Sequence, residues 1–371
     1  MMFNIAKVLA DIEADSDQNI DLLVDLLKIK SISTIPDYAD ECYQAAGWLK
    51  AFLDSFGMDA IIYESEGHPI VFSDYQTSRP EAKTILFYGH YDVQPVDPVS
   101  LWDSDPFDPV LSSIDNEPCI IARGASDDKG QLLTFLIALK YIKNEVGELP
   151  FSLKIILEGE EECGSKTLPI FLEDYKDKLS ADIAYVCDTG MWDKDTPAIT
   201  RSLRGLLSEE FKIIGPDRDL HSGEFGGVAW NPIRIITKIL SDVYDDEGKV
   251  TIPNFYDGVN EVNENIINSW KKLTFNETEY LNKIGQKSSS GETGRSIFEK
   301  TWSRPTFEIN GIFGGYTDEG TKTVIPSEAN AKLTCRLVGN QDPEKILENI
   351  HKYIKSSLPD GVQVIFDGAD H

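Results

Sequence analysis

Residues 84–92 read TILFYGHYD, and this stretch decides how the first half of the chain folds. Its aromatic and β-branched residues, bounded by turn-forming residues, predict a buried strand over 83–89. The strand leads straight into His90 and Asp92, which lie two residues apart and therefore leave an extended chain on one face. A metal-bound imidazole commonly donates its other ring N–H to a carboxylate, so the pair indicates a metal site. Taken alone, the pair also fits a strand-end histidine beside a solvated aspartate.

Around this strand, predicted strands alternate with predicted helices up to about residue 200. The pattern indicates an α/β fold with a mostly parallel sheet covered by helices on both faces. In such sheets, functional side chains collect beyond the carboxyl ends of the strands. The predicted helices are 17–30, 38–56, 128–146 and 166–174, and the predicted strands are 59–63, 69–73, 83–89, 151–158 and 181–187. Segment 93–119 is predicted to be a long loop, either functional or an ordinary surface loop.

Composition excludes several classes of partner. The 371 residues include 63 acidic and 35 basic side chains, a formal net charge of −28, which would repel nucleic acid and anionic membranes. The five cysteines are scattered and form no Cys-x-x-Cys pair, which argues against a disulfide framework and a thiolate zinc site. No secretion signal and no 18-residue apolar run is present. We therefore expect a cytoplasmic protein.

The second half of the chain has a different order of predicted strands and helices. Near residue 200 the pattern changes to one typical of an α+β unit, so we place a domain boundary there, between residues 1–200 and 201–371. The predicted strands are 205–214, 306–312, 330–338 and 361–366, and the predicted helices are 231–244 and 343–357. The stretch 255–300 is polar, and its segment 285–294 (GQKSSSGETG) is predicted to be a flexible loop.

Three acidic islands accompany His90. Asp127 precedes a predicted helix, where a helix cap is the simpler explanation, and Asp188 follows a predicted strand. Between them stand Glu160, Glu161 and Glu162, three adjacent carboxylates that are either solvated or neutralised by a cation. Together, one imidazole and several carboxylates are the ligand chemistry of Zn²⁺ or Mn²⁺. A carboxylate bridging two such ions makes a pair that activates water, and a further carboxylate is then needed as the base.

Five motifs carry a resemblance to a known family. GHYDVQP, ARGASDDKG, EGEEECGS, VCDTG and DLHSGEFGG resemble, in order and spacing, the motifs of the di-metal peptidases that include carnosinases, aminoacylases and carboxypeptidase G. The resemblance spans nearly the whole chain. WDSDPFDP and KTVIPSEANAKLTCRLV are most similar to the cytosolic non-specific dipeptidase branch. The family resemblance implies a catalytic domain of the zinc-peptidase type, formed here by residues 1–200, and an inserted α+β lid and dimerisation domain, formed by residues 201–371.

The resemblance also implies a ligand set for two divalent ions, Zn²⁺ or Mn²⁺. His90 and Asp188 would hold one ion, Asp127 would bridge, and Glu162 would hold the other. A cis peptide bond is implied after Asp127.

The same resemblance assigns the catalytic carboxylates. Glu161 would be the general base, and Asp92 would support His90 from behind. The family often has methionine at the position of Glu160, and the following Gly-Ser fixes the alignment that makes Glu161 the base.

In the lid domain, three residues have implied roles. His221 would reach the active site of the neighbouring subunit in a homodimer and stabilise the oxyanion, Arg336 would bind a substrate carboxylate, and Thr323 would line the same pocket. Without the resemblance, the simpler explanations are a turn histidine, a strand arginine paired with any acid and a strand threonine.

The chain departs from the family pattern at its carboxyl end. In the family, the chain returns to the catalytic domain, completes its sheet and supplies a last histidine ligand to the metal held by Glu162. No such segment precedes His371. We therefore expect a fragment of a longer protein that is weakly active or inactive by itself.

The predicted function is metal-dependent hydrolysis of dipeptides or short peptides by a metal-activated water and a glutamate base. Two alternatives stay open from the sequence. One is an N-acyl amino acid deacylase or desuccinylase of the same family, and the other is a metal-binding dimerisation protein without turnover.

Overall fold

The computed structural model describes residues 4–114, 116–193 and 195–370. The chain divides into two compact units, Met1–Ile199 and Thr200–His371, called unit 1 and unit 2 below. Within the described residues, no helix is both long and apolar enough to cross a membrane.

Unit 1 is built on a five-stranded sheet. Its strands are β1 (Ile61–Tyr63), β2 (Ile70–Tyr75), β3 (Thr84–His90), β4 (Val110–Ile114), β5 (Glu117–Ile121), β6 (Ser152–Glu158) and β7 (Ile183–Val186). The sheet order is β1-β2-β6-β3-β7, and β4 and β5 pair separately with each other. β3 pairs in parallel with β6 and β7, whereas β2 is antiparallel to both its neighbours. Only β2 therefore runs against the other strands of the sheet, which confirms the predicted α/β fold with a mostly parallel sheet.

Helices cover both faces of this sheet. They are α1 (Ile5–Ala14), α2 (Ser16–Leu27), α3 (Ala39–Ser55), α4 (Lys129–Val146) and α5 (Leu168–Asp174). Alternate β3 residues point to opposite faces: Phe87 stacks on Phe135 of α4 at a centroid distance of 3.7 Å, while Leu86 and Tyr88 pack with Phe171 of α5. The central strands are thus apolar on both sides, which explains their unbroken hydrophobic runs.

Three predicted loops or polar stretches differ from the structure. Segment 93–119 contains β4 and runs into β5, whose residues are mostly exposed and so lack the alternation that would have revealed a strand. Residues 4–15 contain α1, which was not predicted. The polar stretch 255–300 contains two short helices, α8 (Glu264–Trp270) and α9 (Glu277–Lys283), which pack through a local cluster of aromatic rings.

Unit 2 has a four-stranded antiparallel sheet of order β10-β12-β8-β13. Its strands are β8 (Gly205–Ile214), β9 (Leu220–His221), β10 (Thr306–Gly314), β11 (Val324–Ile325), β12 (Glu328–Leu337) and β13 (Gln363–Asp370). Its helices are α6 (Ser222–Phe225), α7 (Pro232–Ser241), α8 (Glu264–Trp270), α9 (Glu277–Lys283) and α10 (Pro343–Ser356). Alternate β8 residues, such as Phe211 and Ile213, pack with α7 and α10. The intervening residues form the opposite face of the sheet.

One charged side chain of β8 lies on the helix-covered face. Glu209 is 4% exposed, accepts the backbone N–H of Glu210 at 2.9 Å, and lies 2.5 Å from Nε2 of His351 on α10. The His351 ring also stacks on Phe366 of β13 at 3.7 Å. This pair therefore links a helix to two strands, and Glu209 depends on His351 because an unpaired buried charge is costly.

We expect His351→Ala to destabilise unit 2 by about 2 kcal/mol, since the buried Glu209 carboxylate loses its partner. Hydrogen exchange of the β8 amides measures this free energy locally. The matched control is the double substitution Glu209→Leu with His351→Leu, which removes both charges and should cost less than His351→Ala. Equal exchange in His351→Ala and the parent chain would contradict the expectation.

Candidate metal centre

The centre forms around His90, the last residue of β3, whose side chain is fully buried. Its Nε2 lies 3.1 Å from Oδ1 of Asp127 and 4.0 Å from both Oε2 of Glu161 and Oδ2 of Asp188. His90, Asp127 and Asp188 offer ligand atoms that all lie within 4.8 Å of one another. The structure therefore brings together three of the four predicted metal ligands and the predicted base.

The backbone explains this convergence. Glu161 begins a short 3-10 turn after β6, and Asp188 follows β7 by two residues. Because β3, β6 and β7 run in parallel, their carboxyl ends meet at one edge of the sheet. Asp127 enters from the segment before α4, and the peptide bond between Asp127 and Asp128 is cis, which confirms the implied cis peptide.

The donor set fits a divalent cation. One imidazole nitrogen and two carboxylates suit Zn²⁺ or Mn²⁺, and a cation would neutralise the carboxylates gathered there. In the described residues, Glu162 is not part of this three-residue group. Its Oε2 instead accepts a hydrogen bond of 2.8 Å from Nε2 of Gln94, which also donates to the Glu162 carbonyl at 2.9 Å.

Asp92 contacts both His90 and the turn that carries Glu161 and Glu162. Its carboxylate is fully buried, with Oδ1 3.3 Å from Nδ1 of His90. Oδ1 accepts the backbone N–H of Glu161 at 3.2 Å, and Oδ2 accepts that of Glu162 at 3.0 Å. One side chain thus orients the imidazole and fixes the turn that carries both glutamates. Burial lowers the pKa of His90, but the hydrogen bond and charge of Asp92 outweigh it and raise that pKa to about 10.

Two glutamates of the centre have raised pKa values. Burial raises the pKa of Glu161, and Asp188 and Glu162 raise it further, although His90 opposes them. Burial also raises the pKa of Glu162. A base whose pKa is raised toward neutrality is suited to take up a proton and release it again.

Sequence reasoning missed two residues of the centre. Asp128 is fully buried, and its Oδ2 accepts the backbone N–H of His90 at 3.1 Å. Burial raises the pKa of Asp128 to about 8. Gln94 is the other, and it lies inside the GHYDVQP motif. No sequence signal separates Asp128 from Asp127, and an uncharged amide such as Gln94 attracts no attention in a search for titratable groups.

Glu160, at the position where the family often has methionine, is buried and turned away from the centre. It is 6% exposed, and its carboxylate accepts hydrogen bonds from the backbone N–H of Thr167, at 3.1 Å, and from the Thr167 hydroxyl. Gly67 leaves the space for it, because a Cβ there would lie 1.6 Å from Oε1 of Glu160.

The remaining predicted residues lie in unit 2. His221 ends β9, and its Nδ1 accepts the backbone N–H of Gly223 at 3.0 Å. Neutral His221 therefore carries its proton on Nε2, which lies 3.3 Å from Oγ1 of Thr323. The structure brings His221 and Thr323 together, and it places Arg336 on β12.

Similarity to solved structures identifies the family. The crystal structure of an M20 family metallo-carboxypeptidase from Sulfolobus solfataricus is 35% identical, with a TM-score of 0.79, and the match covers 93% of this chain and 77% of that one. The chain belongs to the M20 family of metallopeptidases. Residues 201–362 of this M20 chain match the Peptidase dimerisation domain model.

Two curated relatives of this M20 chain are dipeptidases by name. Beta-Ala-His dipeptidase of Homo sapiens is 32% identical over 289 residues, 77% of this chain and 56% of the relative. Cys-Gly metallodipeptidase of Saccharomyces cerevisiae is 32% identical over 287 residues, 77% of this chain and 59% of the relative. The chain thus spans less than two thirds of the length of these relatives.

We expect Asp92→Asn to weaken Zn²⁺ or Mn²⁺ binding by about 10- to 100-fold, because an amide cannot accept all the hydrogen bonds that orient His90 and the glutamate turn. Isothermal titration calorimetry measures the affinity. Asp182→Asn is the matched control, since Asp182 likewise accepts a backbone N–H, from Thr84, but at the other end of β3. An unchanged affinity in Asp92→Asn would show that Asp92 does not position the ligands.

Proposed function

We propose that this chain is the metal-binding and lid portion of a metal-dependent dipeptidase that hydrolyses the peptide bond of dipeptides or short peptides. The observation that carries the proposal is the placement of Glu161 beside His90, Asp127 and Asp188, a carboxylate base next to a ligand set for a divalent ion. The dipeptidase names of the curated relatives support the substrate class.

Four side chains would hold the metal pair. His90 and Asp188 would bind one ion, Asp127 would bridge, and Glu162 would bind the other after leaving Gln94. The bound ions, Zn²⁺ or Mn²⁺, supply Lewis acidity, which lowers the pKa of water and polarises the scissile carbonyl.

The proton transfers fall to Glu161. Its carboxylate takes the proton of the attacking water and delivers it to the leaving amine, so that the base becomes the acid of the second step. Asp92 acts as a positioning residue, because its hydrogen bonds to the N–H groups of Glu161 and Glu162 fix where these carboxylates start.

Unit 2 would complete the site of a neighbouring subunit in a homodimer, as the match to a dimerisation domain supports. His221 would donate its Nε2–H to the oxyanion of the tetrahedral intermediate. Arg336 would bind the substrate carboxylate, and Thr323 would line the same pocket.

We propose a reducing, cytoplasmic location. All five cysteines of the described residues are free thiols, as is usual for proteins of that compartment.

We expect Glu161→Gln to lower the rate of Mn²⁺- or Zn²⁺-dependent dipeptide hydrolysis by about 10²- to 10⁴-fold, because glutamine cannot accept the proton. A panel of small dipeptides, assayed on the parent chain and on the variant, measures the rate. Glu173→Gln is the control, since Glu173 lies on α5 and pairs only with Lys176 in the described structure. Equal and measurable rates in Glu161→Gln and the parent, with metal bound to both, would rule Glu161 out as the base.

We expect Gly223→Ala to lower kcat by about tenfold, because the new Cβ would lie 2.9 Å from Cε1 of His221 and displace the donor ring. Nitrogen NMR of ¹⁵N-labelled histidine reports the state of His221 at the same time. The control is Gly47→Ala in α3, where a Cβ meets no atom within 4 Å. An unchanged kcat together with an unchanged His221 spectrum would contradict this role of Gly223.

A further inference from the structure

The sheet face of unit 2 that points away from α7 and α10 carries ion pairs between neighbouring strands. On this face Lys332 of β12 lies 3.2 Å from Glu210 of β8, and Lys212 of β8 lies 3.5 Å from Glu328 of β12. Both pairs cross between neighbouring strands, as expected for opposite charges on one side of a sheet. The cations in the middle of this face are thus each balanced by a carboxylate.

At one end of the same face, two arginines break this pattern. Arg336 of β12 lies directly opposite Leu206 of β8. Arg204 stands two residues before Leu206, so it projects from the same side and is the diagonal neighbour of Arg336. In the part of the chain that the structure describes, neither guanidinium makes an ion pair with a carboxylate.

This arrangement is unfavourable as it stands. Arg204 is partly buried, and this burial together with the charge of Arg336 lowers the pKa of Arg204. Two like charges side by side, one of them partly removed from water, are stabilised when an anion lies between them. The chain has a net charge of −28 and therefore many carboxylates that could pair with an arginine. Two neighbouring arginines that pair with none of them are for this reason significant.

The chemistry of the pair selects its ligand. Guanidinium groups bind carboxylates through paired hydrogen bonds, and two of them can each take one carboxylate of a diacid. Thr306 of β10 lies opposite Arg336 on the other side of β12 and adds a hydroxyl group to the same face. A single carboxylate would have to share its two oxygens between the two guanidinium groups, whereas a diacid gives each guanidinium a carboxylate of its own.

We propose that Arg204 and Arg336 form one anion site that binds two carboxylates of the same ligand. This inference rests on the proposed function for its biological ligand: a peptide whose carboxyl-terminal residue has an acidic side chain. Arg336 takes the terminal carboxylate, and Arg204 takes the side-chain carboxylate and thereby determines specificity.

Calorimetric titration of the full chain with succinate, acetate and inorganic phosphate tests the site without any turnover. We expect succinate to bind at least tenfold tighter than acetate. Arg204→Met should lower succinate affinity about tenfold and leave acetate affinity within a factor of two. Arg204→Lys keeps the charge but loses the paired donors, and it should fall between the parent and Arg204→Met. Circular dichroism establishes that each variant is folded. Arg218→Met, at an exposed arginine of the same unit that pairs with Asp217, should change nothing.

The following results would overturn the proposal. They are equal affinity for succinate and acetate, a succinate affinity that survives in Arg204→Met, and phosphate binding as tight as succinate binding, which would indicate a general dianion site. Failure of succinate to bind at all would also overturn the proposal. This result is expected if an acidic group of a second copy of the chain occupies the arginine pair. Glu161→Gln should bind succinate normally, so loss of hydrolysis and loss of this site are separable.

Discussion

The buried carboxylate of Asp92 is the constraint on which the candidate centre depends. It has no contact with solvent, yet it bonds to His90 at the end of one strand and to two consecutive N–H groups in the turn after another. A carboxylate in this position is stable only while all these donors surround it. The sheet, the imidazole and the glutamate turn therefore hold one another in place, and the ligands are prearranged by the fold.

Much of this could be predicted from the sequence, because the features concerned are local. The apolar runs that form β3, β6 and β7 fixed the strands, and the parallel arrangement then implied that His90, Glu161 and Asp188 meet at one edge. The hydrogen bond between Gln94 and Glu162 could not be predicted, since it joins residues 68 positions apart and involves no periodic pattern. The β4–β5 pair was not predicted for another reason: every residue of β4 is exposed and those of β5 are exposed or half-buried, so neither strand shows the alternation that marks a half-buried strand.

The two units distribute charge differently. In unit 1, several carboxyl groups are gathered around a place suited to a cation, and burial raises the pKa values of Glu161, Glu162 and Asp128. In unit 2, one sheet face carries charged residues in oppositely charged pairs. Two arginines on that face, Arg204 and Arg336, have no carboxylate partner among the described residues. A peptide carries both an electron-rich carbonyl and a terminal carboxylate. Under the proposed function, unit 1 would provide the environment for the carbonyl and unit 2 the environment for the carboxylate, although the chain is strongly acidic overall.

The contact between Gly67 and Glu160 constrains how such a chain can evolve. A side chain at residue 67 collides with the Glu160 carboxylate, which Thr167 holds in place. A larger residue at 67 therefore requires the Glu160 carboxylate to move away from Thr167, whereas the same change costs nothing at this contact once Glu160 is replaced by a smaller residue. Positions 67 and 160 are thus coupled, although they lie on different segments of the chain.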